Sequence, residues 1–309
     1  MAAVIDRDAI DWSAYAHQTE ASVKVRAASV FADDLIAEFQ PPRKAGLQPQ
    51  MFSTKLRDRL VFRPGEVTVW AGYNGHRKSM FTGQVALDLC VTKQRVLMAS
   101  FEMTPPRTLA RMARQAFAVG RPADASLQLF SSWSDGRLWL FDHLGRISPE
   151  QCIAVLRYFA TELGGQQVFI DSMMMVCASE ESLDEQKQFT TDLVRVAQEL
   201  SLHVHLVAHC RKPQGGDEKP PTKYDLRGSA AISDQAHNVV TVWANREKRA
   251  KLENGYDAKT AGEPDAIVSV EKQRNGAFEG KLKLWFNGET FRFSDGDQPV
   301  EPYVLEDFA

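Results

Sequence analysis

The stretch EVTVWAGYNGHRKSMFTGQVAL, residues 66–87, constrains the fold more than any other part of the chain. Glu66–Ala71 is a short apolar run with β-branched side chains, the signature of a buried strand. A glycine-containing turn follows, and Ser79–Leu89 then reads as a helix. A buried strand that turns directly into a helix opens a parallel-sheet crossover, so an α/β fold is expected. The turn nearly spells G-x-x-x-x-G-K-[ST], the loop whose backbone amides cradle phosphates, with Gly72, Lys78 and Ser79 at the required spacings. Arg77 stands where the second glycine belongs. On this stretch alone a plain polar strand-to-helix turn stays open.

The same grammar recurs downstream. RVLMAS (95–100), QVFI (167–170), HVHLVA (203–208) and NVVTVWA (238–244) read as further apolar strands, with helical segments at 149–163 and 185–199 between them. That alternation predicts a mostly parallel central sheet covered by helices. Toward the end the pattern changes. Residues 266–272, 281–286 and 290–293 read as antiparallel strands, with Asn275-Gly276 and Asn287-Gly288 as turn signals. Near the start, residues 18–40 place Ala21, Val25, Ala28, Ala32, Leu35 and Phe39 on one helix face, and Pro41 and Pro42 end it. Such a helix cannot bury its stripe alone, and its own domain or a neighbouring subunit would serve equally. The expected division is an arm with an amphipathic linker helix (1–59), an α/β domain (60–295) and an acidic tail (296–309). The last sixteen residues hold five acids and no Lys or Arg, so a mobile tail is expected, with Tyr303, Leu305 and Phe308 as apolar anchors.

Composition narrows the function classes. A net charge of −3 over 309 residues excludes a generally basic nucleic-acid coat, so any such contact must be local. Residues 211–227 supply a local patch: Arg211, Lys212, Lys219, Lys223 and Arg227 against three acids, in a Gly/Pro-rich loop. Four cysteines without C-x-x-C spacing give neither a zinc ribbon nor a disulfide framework, and buried reduced thiols are expected. No apolar signal core opens the sequence and no stretch reaches ~18 apolar residues, so a cytoplasmic protein without membrane contact is expected.

Chemistry-bearing residues collect at the ends of the expected strands. The loop itself (Gly72, Tyr73, Asn74, Gly75, His76, Arg77, Lys78, Ser79 and Met80) is a candidate nucleotide site, with Lys78 reaching phosphates and Ser79 holding Mg²⁺. Asp171 ends the QVFI strand, where a carboxylate can hold the water shell of Mg²⁺. Glu102 lies two residues past RVLMAS and is placed to orient or deprotonate an attacking water. His209, just past HVHLVA, is placed to sense a terminal phosphate. Any one of them is commonplace; their joint fall at strand ends is not.

Taken in order, GYNGHRKS, ASFEMTPPRTLARM, VFIDSMMMV, HLVAHCRK, DLRGSAAISDQAHNVV and VEKQRNG resemble the motifs of DnaB-like and Twinkle-like replicative ring helicases. The resemblance spans residues 60–295 and implies a RecA-like P-loop core with C-terminal antiparallel strands. It implies ATP or another NTP with Mg²⁺, single-stranded DNA as partner, and a homo-oligomeric, hexameric ring. It makes Glu102 the catalytic glutamate and His209 the sensor. Lys272 and Arg274, in K-Q-R-N-G, match the pair that enters the neighbouring subunit's ATP site, Arg274 as an arginine finger. Arg227, Gly228 and Ala230 match the segment that faces the channel and its DNA, and Lys212 lies in the basic loop before them. No primase-like portion precedes the motor in this sequence, so a phage-like helicase without primer synthesis is expected, its tail suited to docking a replication partner.

The expected function is therefore ATP-driven translocation on single-stranded DNA with duplex unwinding. The alternative is a nucleotide-switched DNA-binding ring or scaffold that hydrolyses weakly because of Arg77. A filament-forming recombinase is a third reading, and S-F-E-M and K-Q-R-N-G count against it.

Overall fold

A computed structural model of the chain describes residues 3–6, 11, 52–57, 59–177, 182–211, 219–228, 230–255 and 257–305. The expected helix at 18–40, Lys212 and Phe308 lie outside these residues.

Ten strands among the described residues form one sheet, in the order β1-β4-β3-β5-β6-β2-β7-β8-β9-β10. The parallel part comprises β1 (Ala3–Asp6), β2 (Val67–Ala71), β3 (Val96–Ser100), β4 (Leu138–Asp142), β5 (Gln167–Asp171), β6 (His203–Val207) and β7 (Asn238–Ala244). Strands β8 (Ala266–Gln273), β9 (Gly280–Asn287) and β10 (Arg292–Ser294) add the antiparallel end. Every residue of β2, β6 and β7 is buried, including the polar Thr68, His203, His205, Asn238 and Thr241, as expected for strands covered on both faces.

The α-helices of the described residues are α1 (Thr54–Arg57), α2 (Lys78–Val91), α3 (Pro105–Phe117), α4 (Asp124–Ser134), α5 (Pro149–Leu163), α6 (Leu183–Leu200), α7 (Ala231–Gln235), α8 (Arg246–Asn254) and α9 (Ala258–Ala261). They build two apolar clusters. One joins Val69, Leu97, Val168 and Leu206 to Phe159 of α5 and Phe189 of α6. The other joins Trp70, Val240 and Val268 to Phe81 of α2, Met112 of α3 and Phe293 of β10. Local sequence sets the helix ends: Ser148 accepts from the Gln151 amide ahead of Pro149, and Gly164 closes α5 at a φ of 61°. All four cysteines are free and buried.

The expected boundaries shift at both ends. Ala3–Asp6, assigned from sequence to an arm, pairs in parallel with Trp139–Asp142 and extends the sheet edge. Leu56 and Leu60 are fully buried, and Ser53 and Thr54 both bond the Asp295 carboxylate, so residues 52–57 pack on the α/β domain. The acidic tail is anchored through residue 305 rather than mobile from its start. The Tyr303 amide donates to the Ala116 carbonyl at 2.8 Å, its ring lies 4.5 Å from the Arg292 guanidinium, and Tyr303 and Leu305 pack on the second cluster. Apolar side chains outweigh the segment's charge here, so neither residue is an exposed partner anchor.

Candidate functional site

The parallel strands deliver their C-terminal ends to one edge of the sheet, and the site is built there. The loop after β2 leads straight into α2, and two glycines let it run close to its surroundings. A Cβ at Gly72 would stand 2.3 Å from the Val242 carbonyl oxygen, and one at Gly75, whose φ is 75°, would stand 2.4 Å from an Arg246 nitrogen. The loop is also pinned by side chains. The buried His76 ring accepts from the Ala244 amide at 3.0 Å, and Arg246 donates to the Asn74 carbonyl at 3.0 Å. Tyr73 packs edge-on against His76, and Met80 offers its carbonyl to Gln115 at 2.8 Å.

Arg77 takes the left-handed conformation, φ 65° and ψ 22°, at the cap of α2. That is the geometry a glycine would adopt freely, and it costs a side-chain-bearing residue about 1–2 kcal/mol. Its guanidinium lies 4.0 Å from the centre of the Phe286 ring on β9, an arrangement worth roughly 0.5–1 kcal/mol at a partly exposed site. The arginine thus clamps the loop to the C-terminal hairpin.

Lys78 is buried, with its ammonium 2.9 Å from the carbonyls of Gly72 and Tyr73 and 3.4 Å from His209 Nδ1. Burial lowers its pKa to about 8, although Asp171 and Glu102 favour the charged form. Ser79 hydrogen-bonds the Asp171 carboxylate, whose pKa desolvation raises against that bond and against Lys78 and Arg111. Glu102 is exposed beside them, accepting from the Ser172 hydroxyl at 3.5 Å. His209 is neutral at ordinary pH: burial, with Lys78 and Arg227 nearby, lowers its pKa to about 4. The structure thus brings Lys78, Ser79, Asp171, Glu102 and His209 together at the ends of β2, β3, β5 and β6, where a ligand crevice is expected.

Chain segments tie this crevice to the basic loop. The Cys210 amide donates to the Gly72 carbonyl at 2.9 Å, and the Arg227 amide to the His209 carbonyl at 2.8 Å. Arg227 and Ala230 are exposed, and Gly228 holds a φ of 101°.

A profile of the DnaB-like helicase C-terminal domain matches residues 57–295. The chain belongs to the DnaB-like helicase family. Two solved structures of related architecture are similar to it, each at a TM-score of 0.70 and 18% identity. One is a solved ATPase domain, covering 89% of this chain and 99% of that one. The other is a DnaB-like replicative helicase described with its primase interactions, covering 88% of this chain and 68% of that one. Both support a RecA-like fold for this chain.

Lys272 and Arg274 are not brought to the chain's own phosphate loop. They lie at the end of β8 opposite the start of β7, where Asn238 pairs with Gln273 and Val239 with Lys272. Lys272 donates to the carbonyls of Ser233 and Asp234 at 2.8 Å, and Arg274 to that of Asp234 at 3.1 Å, at the end of α7. In this DnaB-like chain the two cations therefore sit at the opposite edge of the sheet from Lys78.

Sequence reading missed the pinning role of His76, and missed Arg246 and Arg111 altogether. His76 and Arg246 act through partners far along the chain, and no local pattern announces them. Arg111 carried a readable signal, since it stands on α3 in the same segment as Glu102. Tyr224, 84% exposed beside Lys223, was also passed over.

Proposed function

We propose that this DnaB-like helicase is an ATP-hydrolysing motor that works as a ring of identical subunits, moving along single-stranded DNA and parting duplex ahead of it. The observation that carries the reading is the Ser79–Asp171 hydrogen bond directly beside the buried Lys78 ammonium. A hydroxyl and a carboxylate of that kind suit Mg²⁺ in the presence of phosphate oxygens, and no further protein ligands are required.

Ser79 and Asp171 would hold the ion, which when bound neutralises charge on the phosphates. The remaining work falls to side chains. Lys78 exchanges the carbonyls of Gly72 and Tyr73 for phosphate oxygens. Exposed Glu102 accepts the proton of the attacking water. Neutral His209 hydrogen-bonds the terminal phosphate and passes its state along the backbone to Arg227 through the bond from the Arg227 amide. Arg274 of one subunit completes the site of the next. Its place at the far edge of the sheet supports action between subunits, since a finger acting within its own subunit would need to stand beside Lys78. Arg227, Gly228, Ala230 and Lys212 would meet the DNA backbone. The stacking of Arg77 on Phe286 weighs against the weakly hydrolysing scaffold, because the side chain is engaged by the hairpin.

Steady-state ATPase with and without oligo(dT), paired with unwinding of a forked duplex, tests the proposal. Strong stimulation by DNA together with unwinding is expected. Turnover indifferent to DNA, with no strand separation, would reject it.

A further inference from the structure

Glu66 lies outside everything assigned so far. It is 4% exposed immediately before β2, a rare setting for a carboxylate, and such groups persist when they are well bonded. Two side-chain amides hold it. Asn238 Nδ2, at the start of β7, donates to Glu66 Oε2 at 3.1 Å. Asn275 Nδ2 donates to Glu66 Oε1 at 2.7 Å, a short charge-assisted bond across 209 residues of sequence. Arg63 stands farther off, 3.9 Å from Oε1.

Asn275 is the residue after Arg274. Other contacts fix the turn on both sides of that residue, and the Arg274 guanidinium itself rests on the Asp234 carbonyl at 3.1 Å. The Arg274 amide donates to the His237 carbonyl at 2.8 Å, and His237 accepts from the Val67 amide through Nδ1 at 3.1 Å. Gln273 reaches the carbonyls of Arg59 and Phe278, and Gly276 leaves it room, since a Cβ there would stand 2.5 Å from Gln273 Oε1. These contacts grip the backbone before or behind the arginine. Gln273 holds the far side of the turn at Phe278, and the Glu66–Asn275 bond ties the residue next to the arginine to the buried sheet. Glu66 is joined through β2 to Gly72, about 20 Å away at about 3.3 Å per residue. One strand therefore carries a subunit's own phosphate loop at one end and the anchor of the finger turn at the other.

We propose that Glu66 is a positioning residue for the arginine finger: its carboxylate, oriented by Asn238, grips Asn275 and sets the turn from which Arg274 reaches the neighbouring subunit. The inference rests on the between-subunit reading above. Without the grip, Arg274 is present but poorly aimed, and misplacement by about 1 Å can cost on the order of 100-fold in rate.

The test reverses the polarity of the bond. Asn275→Asp sets a carboxylate against Glu66, and DNA-stimulated kcat should fall at least ~10-fold with ATP KM changed less than about twofold. Adding Glu66→Gln supplies an amide donor to the new acceptor while keeping an oxygen for Asn238, and should restore kcat to within about threefold of the parent protein. Asn275→Asp subunits should also regain turnover when mixed with Lys78→Ala subunits, whose fingers are intact. The inference is overturned if the double variant is no better than Asn275→Asp, or if that mixture stays inactive while Arg274→Ala with Lys78→Ala recovers. Full turnover by Arg274→Ala alone would instead remove the finger reading, and this inference with it.

Discussion

The two edges of the central sheet handle cations in opposite ways. At the C-terminal edge Lys78 is buried, its ammonium held on two loop carbonyls and lowered to a pKa of about 8. At the other edge Arg274 is exposed, leaning on one carbonyl at the end of the five-residue helix α7. A buried cation surrounded by Ser79, Asp171 and Glu102 belongs to a site assembled within the subunit. An exposed cation on an anchored turn is available to another molecule. On the proposed function, the contrast would mean that one chain carries most of an ATP site at one edge and the missing part of a neighbour's site at the other.

Removing the buried cation should have the largest effect. Lys78→Ala is expected to bring ATPase to background, and detectable DNA-stimulated turnover in a steady-state assay would break the within-subunit half of the comparison. Next comes Arg274→Ala. It should lower kcat by about 10³–10⁵ while equilibrium binding of a fluorescent ATP analogue is retained. Loss of that binding would mean that Arg274 serves its own subunit's structure. Glu102→Gln is expected to bind nucleotide normally and hydrolyse it about 100-fold more slowly.

A smaller effect follows from the Lys78 pKa. With the free site at about 8, Lys78 loses its proton as pH rises through that value, whereas bound phosphate favours the ammonium. ATP KM should therefore be flat below pH 7 and climb above pH 8, approaching ~10-fold per unit, with proton uptake on binding. A flat KM to pH 9.5 would show that the ammonium is not a ligand of the phosphates. The smallest effect concerns Arg77→Gly. Relief of about 1–2 kcal/mol of left-handed strain is offset by lost glycine entropy and a lost cation–π contact, each about 0.5–1 kcal/mol. Turnover within about threefold of the parent and a nearly unchanged melting temperature are expected. A collapse of activity would turn the clamp into a phosphate ligand.

Much of this architecture is written locally. Strands β2, β3, β5, β6 and β7 are legible as apolar runs, and Lys78, Ser79, Glu102, Asp171 and His209 are legible because each follows one. Strand β4, LWLFD, escapes such a reading because a run of that length carries no period that distinguishes strand from helix. The packing of Tyr303 on the core is hidden by the acids around it. Glu66 reads as the first residue of a strand, and His76 as a loop residue, because their partners lie 209 and 168 residues away. Pairing at that separation is tertiary, and no window along the chain contains both members. Where Lys272 and Arg274 act is likewise invisible to spacing, and only the family motif points to it.

The most direct test of the division between the two edges is subunit mixing. On the proposed function, Lys78→Ala would lack a working loop but keep its finger, and Arg274→Ala would keep the loop but lack the finger. Each alone should be nearly inactive. Mixed assemblies, verified as mixed by differential tagging, should recover a substantial share of DNA-stimulated ATPase, because some interfaces then pair an intact loop with an intact finger. Mixed assemblies that form yet remain as inactive as either parent would contradict the account.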